Sequence, residues 1–209
     1  MNFAFIGGGT MAEAMIAGIV SKKLTSPEMV TVGDPIEERC RLLKERYGVF
    51  TTTSNTMALR KSDLIILAVK PQNIAQVMDE LKVELRTDQA VVSIVAGIHI
   101  NTLTNGLSHA QIIRVMPNTP AQIGQGISLW TSSSSVNEAQ LEGTKSILQT
   151  LGEEIWVDDE KYLNMATALS ASGPAYVFLF IESLIDAGVK LGLPRMLSRR
   201  LTIQTVLGS

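Results

Sequence analysis

The stretch Phe5-Ile6-Gly7-Gly8-Gly9-Thr10-Met11-Ala12 decides the fold of this 209-residue chain. It fits the pattern G-x-G-x-x-[GA], with Gly7, Gly9 and Ala12 at the three fixed positions. In dinucleotide-binding folds the first glycine allows a tight turn, and the second lets the backbone approach a pyrophosphate. The third small residue keeps the helix close to the strand. Because an apolar strand precedes the motif and an amphipathic helix follows it, we expect a phosphate-binding turn rather than a ligand-free one.

On either side of this motif, short apolar runs alternate with segments of helical periodicity as far as residue 157. Residues 64–69 are apolar throughout, and residues 90–95 are apolar except for Ser93, which is typical of strands buried on both faces. Alternation with short connections predicts an α/β fold with a Rossmann-type, doubly wound parallel sheet. The other expected strands are 2–6, 29–32, 111–115, 127–130 and 154–157, and the expected helices are 10–21, 36–47, 72–85, 100–107 and 136–151.

The pattern changes after residue 160. Residues 162–207 contain no strand alternation, only helical stretches punctuated by Ser172-Gly173-Pro174 and Gly192-Leu193-Pro194. We therefore expect two domains, a dinucleotide-binding Rossmann domain at 1–160 and the start of an all-helical domain at 161–209.

Composition excludes several classes of function. The chain has 18 Lys+Arg against 20 Asp+Glu, a net charge of −2, which argues against a nucleic-acid partner or a polybasic membrane surface. One cysteine, Cys40, excludes an intramolecular disulfide and a cysteine-built metal site. No signal peptide is recognisable, and Glu182 interrupts the apolar run 175–181 well short of the ~20 residues of a membrane span. We expect a cytoplasmic protein with no metal and no membrane partner.

The end of the second strand bears on the choice of cofactor. Asp34 there can accept hydrogen bonds from ribose hydroxyls and repel a 2′-phosphate, which favours NAD. It lies further from the glycine turn than the usual ~20 residues. Arg39 and Arg41 in the next helix could reach a 2′-phosphate, although a solvated helix face is the simpler interpretation of both. NADPH and NADH both stay open.

Loops after strands matter because open α/β sheets bind ligands at the carboxyl ends of their strands. Residues 68–71, 95–97 and 116–120 form such loops. Two prolines around Asn118-Thr119 make a stiff loop suited to holding a small ring, though turn chemistry would explain it equally well. Gly173-Pro174 at a helix start would leave N–H groups free for a carboxylate, and the alternative is a kinked helix packed on another.

Together these segments resemble the pyrroline-5-carboxylate reductase family. The matching motifs are FIGGGTMAEA (5–14), AVKP (68–71), AG (96–97), MPNTP (116–120), SASGPAY (170–176) and GVKLGLPR (188–195). They occur in family order along essentially the whole chain, and the last three together are specific. The resemblance implies reduction of Δ1-pyrroline-5-carboxylate to L-proline by hydride transfer from NADPH or NADH, the last step of proline biosynthesis.

The resemblance also implies roles for individual residues. Lys70 would lie near the nicotinamide and the substrate, in a positioning role. A protonated cyclic imine is already a good electrophile, so the protein mainly needs orientation and charge complementarity. The expected cofactor-binding residues are Ile6, Gly7, Gly8, Gly9, Thr10, Met11, Asp34, Asn55, Ala68, Val69, Lys70, Pro71, Val95, Ala96 and Gly97. The expected substrate-binding residues are Asn118, Thr119, Pro120, Ser172, Gly173 and Pro174.

Members of this family continue with further helices and a Ser-Pro-Gly-Gly-Thr type segment that contacts the substrate, often from the partner subunit. This chain ends at Ser209, before such a segment, so a fragment with an incomplete substrate site is one expectation. A homodimer or higher homo-oligomer through the helical domain is another, with residues 176–185 buried by a partner or by further helices of the same chain. The alternatives are a non-catalytic dinucleotide-binding module and a 6-phosphogluconate-dehydrogenase-like reductase acting on another small acid.

Overall fold

The computed structural model describes residues 1–209, and its eight strands form one sheet in the order β3-β2-β1-β4-β5-β6-β7-β8. The strands are β1 (Phe3–Ile6), β2 (Val30–Gly33), β3 (Phe50–Thr52), β4 (Leu64–Leu67), β5 (Ala90–Ser93), β6 (Ile112–Met116), β7 (Gly126–Ser132) and β8 (Gly152–Trp156). The helices are α1 (Thr10–Ser21), α2 (Glu37–Tyr47), α3 (Asn55–Ala58), α4 (Ile74–Leu81), α5 (Ile100–Leu107), α6 (Glu138–Gln149), α7 (Lys161–Ala166), α8 (Gly173–Lys190) and α9 (Arg195–Gly208).

The sheet confirms the doubly wound prediction with one exception in strand direction. All neighbouring strands are parallel except β6 and β7, which pair antiparallel. The connection 117–125 contains only the 3₁₀ turn Thr119–Ile123. It is shorter than the crossover of about a dozen residues that a parallel return needs, so β7 comes back in the opposite direction.

Both faces of the sheet are buried, as the continuous apolar runs predict. Phe5 and Ile66 belong to the core on one face, together with residues of α1 and α6. Ile6 and Leu67 belong to the core on the other face, under α4 and α5. Alternate residues of one strand point to opposite faces, so a strand covered on both sides is apolar at most of its positions.

Two short elements, β3 and α3, were not predicted from the sequence. The edge strand β3 and the helix α3 fall in a Thr- and Ser-rich stretch that has the composition of a turn. The Ser54 hydroxyl caps α3 by accepting a hydrogen bond from the Met57 N–H at 3.3 Å. These elements bring Asn55 to the carboxyl edge of the sheet.

Helix ends follow local chemistry closely. Helices α1 and α5 have the predicted bounds, and α2 ends at Gly48, whose φ of +71° is the left-handed geometry expected of that glycine. The expected helix 72–85 is too long, because the 3₁₀ turn Pro71–Asn73 precedes α4 and α4 ends at Leu81.

Only helices follow Trp156, and they leave most of their apolar residues exposed. Helix α7, a π turn at Thr167–Ala171 and α8 form one helical run, so Gly173-Pro174 is not a free helix start. The run Lys161–Lys190 is long and apolar enough to cross a membrane by length and composition, with a window of mean hydropathy 1.5 that is 6% buried. From the sequence we expect no apolar segment long enough to cross a membrane, and that expectation was wrong. The helix begins before Ala175 and continues past Glu182.

Candidate functional site

The glycine turn after β1 packs directly against the loop after β4. Gly7 has φ +95°, and its N–H donates to the Gly33 carbonyl at 2.7 Å. A Cβ at Gly7 would lie 2.8 Å from the Ala68 carbonyl oxygen, so a side chain would force the two loops apart. Both the backbone conformation and this close approach require glycine here.

Gly9 faces open space instead. A Cβ there would meet no atom within 4 Å, and no side chain caps the N-terminus of α1 that follows. The first N–H groups of a helix lack intrahelical partners and carry the positive end of the helix dipole. The open space at Gly9, the free N–H groups of α1 and the positive end of its dipole therefore lie at one place, and together they fit the pyrophosphate of a dinucleotide.

A cavity of about 660 Å³ opens beside this turn, within the size range of small-molecule sites. Its lining combines ends of strands β1, β2, β3 and β4 with one side of α4. The residues that line it are Gly7, Gly9, Asp34, Pro35, Ile36, Thr53, Ser54, Asn55, Thr56, Ala68, Val69, Lys70, Asn73, Gln76, Val77 and Glu80. Seven of the expected cofactor-binding residues are among them. The others lie outside this lining: Ile6, Gly8, Thr10, Met11, Pro71, Val95, Ala96 and Gly97.

Asp34 faces the cavity and also braces the glycine turn. Its Oδ2 accepts from the Gly8 N–H at 2.7 Å, and its Oδ1 accepts from the Ile36 N–H at 2.9 Å. The residue is buried apart from its cavity side. The two backbone donors fix the carboxylate in one orientation at the end of β2.

Arg39 does not lie on a solvated helix face, so that interpretation was wrong for this residue. Its guanidinium donates to the Gly8 carbonyl and pairs with Glu13 of α1. Arg46 and Tyr47 also donate to Glu13, at 2.8 and 2.9 Å. Burial opposes ionisation of this carboxyl, but the hydrogen bonds and the two cations outweigh it and lower the pKa of Glu13. Arg41 does lie on the exposed face, paired with Glu38.

Lys70 and Glu80 are the other charged residues of the lining. Lys70 is exposed and has no ion-pair partner, and its carbonyl accepts from the Asn73 N–H at 2.9 Å. Glu80 accepts from Asn55 Nδ2 at 2.8 Å and from Gln76 Nε2 at 2.9 Å. Glu80 thus has only uncharged donors around it and keeps its negative charge uncompensated.

The loop after β6 contacts the π turn of the helical run. Asn118 Oδ1 accepts from the Ile127 N–H at 2.9 Å, and its Nδ2 donates to the Ser170 carbonyl at 3.2 Å. The Ser172 N–H donates to the Thr167 carbonyl at 2.9 Å. The Asn118 amide and the Ser172 N–H are therefore engaged within the chain, whereas the hydroxyls of Thr119 and Ser172 have no partner.

A buried ion pair near this contact was missed from the sequence. Arg114 of β6 is 2% exposed, and its guanidinium donates to Glu160 Oε1 at 2.7 Å and to Asn164 Oδ1 at 2.9 Å. The same Glu160 oxygen accepts from the Ile100 N–H at 2.8 Å. The signal was a lone arginine inside the apolar strand IIRVM, because a buried charge needs a partner.

Comparisons with known proteins agree with this geometry. Two family models match, one described as NADP oxidoreductase coenzyme F420-dependent over residues 2–97, and one as Pyrroline-5-carboxylate reductase dimerisation over residues 160–209. The pyrroline-5-carboxylate reductase of Corynebacterium melassecola is 39% identical over 100% of this chain and 78% of its own length.

Solved structures give the same result. A pyrroline-5-carboxylate reductase from Coxiella burnetii has a TM-score of 0.92 at 36% identity, covering 99% of this chain and 77% of that one. Plasmodium falciparum pyrroline carboxylate reductase, solved with NADP bound, has a TM-score of 0.87 at 35% identity, covering 100% of this chain and 76% of that one.

Proposed function

This chain belongs to the pyrroline-5-carboxylate reductase family, and we propose that it reduces Δ1-pyrroline-5-carboxylate to L-proline with NADH or NADPH. The observation that carries the proposal is the glycine turn, open at Gly9 and packed at Gly7 against the loop that ends in Lys70. Relatives that match this chain over its whole length are named as reductases of this substrate.

The residues divide the cavity into functional parts. Residues 6–11 would hold the pyrophosphate at the N-terminus of α1, and Asp34 with Asn55 would border the adenosine. The loops 68–71 and 95–97 would border the nicotinamide, because they follow β4 and β5 on the other side of β1. When bound, the reduced nicotinamide supplies two electrons and a hydrogen to the carbon of the substrate's C=N bond.

The chain itself would orient the substrate. Lys70 is the one cation in the lining, and it suits the substrate's carboxylate. The segments Asn118, Thr119, Pro120 and Ser172, Gly173, Pro174 are proposed as the substrate side, held next to each other by the Asn118–Ser170 hydrogen bond. Because the Asn118 amide is engaged, the free hydroxyls of Thr119 and Ser172 are the groups we assign to substrate contact.

The helical region, residues 161–209, is proposed as a separate domain that forms a homo-oligomer. Phe178, Leu179 and Phe180 are exposed on α8, and the family model that matches residues 160–209 is named for dimerisation. We infer that a second copy of the chain covers these side chains rather than a bilayer, because the charged residues Glu182, Arg195 and Arg199 line the same groove as Phe178 and Leu179. A cytoplasmic location and the absence of a nucleic-acid partner remain predictions.

The decisive experiment follows nicotinamide oxidation by absorbance with Δ1-pyrroline-5-carboxylate as substrate. We expect turnover, and we expect Lys70→Ala to lower kcat/KM by about tenfold or more, since it removes the cation of the lining. Lys61→Ala is the matched control, because Lys61 precedes β4 at the opposite edge of the sheet. Bound cofactor without any consumption of the pyrroline would contradict the proposal.

A further inference from the structure

We propose that this chain selects NADH over NADPH and that Asp34 is the residue that determines the choice. The inference rests on the proposed function in one respect, that the cavity beside the glycine turn binds the dinucleotide. The sequence leaves the cofactor open, because Asp34 favours NADH whereas the arginines of α2 could favour NADPH. The positions and partners of those side chains decide between the two.

The first observation is the distribution of charge across the cavity. Asp34 and Glu80 are the carboxylates of the lining, and Lys70 is its cation. Asp34 follows β2 and Lys70 follows β4, on opposite sides of β1. Two strand spacings of about 4.8 Å put roughly 10 Å between those strand ends. The β2 side therefore presents negative charge, and the cation lies on the nicotinamide side.

The second observation is that no cation of α2 is available to a 2′-phosphate. Arg39 pairs with Glu13 and donates to the Gly8 carbonyl, Arg46 pairs with Glu13, and Arg41 pairs with Glu38. The four cations of this helix, Arg39, Arg41, Lys44 and Arg46, all lie outside the lining. A phosphate monoester carries about −1.5 to −2 charges at neutral pH, so NADPH would bring that charge against Asp34 with nothing to offset it.

The third observation is that Asp34 is already oriented for a diol. Each carboxylate oxygen accepts one backbone N–H, from Gly8 and from Ile36, and keeps a further lone pair. A fixed acceptor facing the cavity loses little freedom when it accepts a ribose hydroxyl. The same fixed carboxylate cannot turn away from a 2′-phosphate without breaking the brace on the glycine turn.

The relative from Plasmodium falciparum, solved with NADP bound, shows that NADP binding is compatible with this fold. The choice of cofactor must therefore be made by side chains at the end of β2 and the start of α2. In this chain those side chains are Asp34 and a set of arginines that are paired elsewhere.

The test is a calorimetric titration of the whole chain with NADH and, separately, with NADPH. We expect NADH to bind at least about tenfold more tightly near 0.1 M salt, because like charges repel at short range. We expect the ratio of the NADPH dissociation constant to the NADH dissociation constant to fall toward one as salt is raised to 1 M. The Debye length shrinks from about 10 to about 3 Å over that range, so the repulsion is screened. This salt series needs no variant. NADPH binding as tightly as NADH or more tightly, or a ratio that salt does not change, would overturn the inference.

Variants assign the effect to one residue. Asp34→Asn should weaken NADH binding, because it removes one of the two carboxylate oxygens that accept backbone hydrogen bonds. It should also lower the ratio of the NADPH to the NADH dissociation constant by about tenfold, because it removes the negative charge. Glu45→Gln removes the same charge from an exposed position on α2 and should leave the ratio unchanged. A ratio in Asp34→Asn equal to that of the unaltered chain would show that Asp34 is not the determinant.

The two proposals can fail separately. Tight NADH binding with no consumption of the pyrroline would contradict the reductase proposal and leave the selectivity standing. Equal affinities with normal turnover would contradict the selectivity and leave the reductase standing. If neither dinucleotide binds, the cavity is not its site, and the inference fails.

Discussion

The sheet region, residues 1–160, and the helical region, residues 161–209, both contain strongly apolar segments, but the sheet region buries them and the helical region exposes them. Every residue of β4 is buried, whereas α8 buries Gly173 and exposes Phe178, Leu179 and Phe180. The sheet covers its strands with helices of the same chain on both faces. Helices α8 and α9 have nothing on their outer side. An apolar segment therefore indicates that some other surface must bury it, and only the fold shows whether that surface belongs to the same chain.

The largest effect should come from the interior of the sheet region. Ile66→Ala should lower the free energy of unfolding by about 2–5 kcal/mol, because it removes atoms of a fully buried side chain and the surrounding core relaxes only partly into the cavity. Urea unfolding followed by circular dichroism measures this. A cost below about 1 kcal/mol would mean that the central strand is loosely packed, and the contrast with α8 would disappear.

The next effect lies at the junction of the two regions. Glu160→Ala should cost about 2–3 kcal/mol, because it leaves the Arg114 guanidinium buried without its carboxylate and frees the Ile100 N–H. Glu160→Gln keeps an acceptor and should cost less.

Asp159→Ala is the matched control for Glu160→Ala, since Asp159 is the neighbouring carboxylate but pairs with Lys161 in an exposed position. Its cost should be about 1 kcal/mol or less, because the exposed ion pair contributes little and only the hydrogen bond from the Lys161 N–H to Asp159 Oδ1 is lost. The same urea series measures all three variants. Equal losses for Asp159→Ala and Glu160→Ala would show that the buried pair does not hold the regions together.

A smaller and pH-dependent effect is expected at Glu13, within the sheet region. Its pKa is held below the ordinary value of 4.5, so the folded state binds its proton less readily than the unfolded state. The carboxylate therefore stabilises the fold above pH 4.5, and that stability is lost as the pH falls through the lowered pKa. Glu13→Gln should cost about 1 kcal/mol at pH 7 and progressively less below pH 4.5.

The control for this pH series is Glu38→Gln, whose pair with Arg41 is exposed. It should change stability little at any pH. Unfolding measured in urea between neutral and acid pH separates the two variants. A difference between Glu13→Gln and the unaltered chain that stays constant down to acid pH would contradict the lowered pKa.

Local signals determined much of the fold, and distant pairings determined the rest. The bounds of α1 and α5 and the glycine stop of α2 follow from neighbours along the chain, so the sequence predicts them. The direction of β7 depends on how short its connection is, and β3 is an edge strand of turn-like composition. Neither is visible in periodicity.

The site divides in the same way. The glycine turn was predictable, because a motif of adjacent residues specifies it, whereas the role of Asp34 in cofactor binding stays a prediction from its place at the end of β2. The brace from Arg39 to Gly8 and the pair of Arg114 with Glu160 join residues far apart in sequence, and single residues carry no mark of such partners. The engaged amide of Asn118 was missed for the same reason, since its partner Ser170 lies in the other region.

The smallest effect on protomer stability is expected on the exposed face of α8, and it gives the sharpest test of the comparison. Phe178 and Phe50 are the same residue type with nearly equal exposure, 65% and 61%, but Phe178 lies on α8 and Phe50 on the edge strand β3. Each change to Ser should alter the unfolding free energy of a dilute protomer by less than about 0.5 kcal/mol, because little buried area is lost.

The two variants should differ in assembly. If a second copy of the chain covers α8, Phe178→Ser should lower the mass measured by light scattering and abolish the rise of the unfolding midpoint with protein concentration. Phe50→Ser should leave both unchanged, since β3 is the edge strand at the end of the sheet opposite β8, whereas α7, where the helical region begins, contacts β6 and β7. A mass that is the same for both variants would mean that the apolar face of α8 is not an interface between copies. Helix α8 would then need cover from another source, because Phe178, Leu179 and Phe180 stay exposed although α9 packs on the same helix.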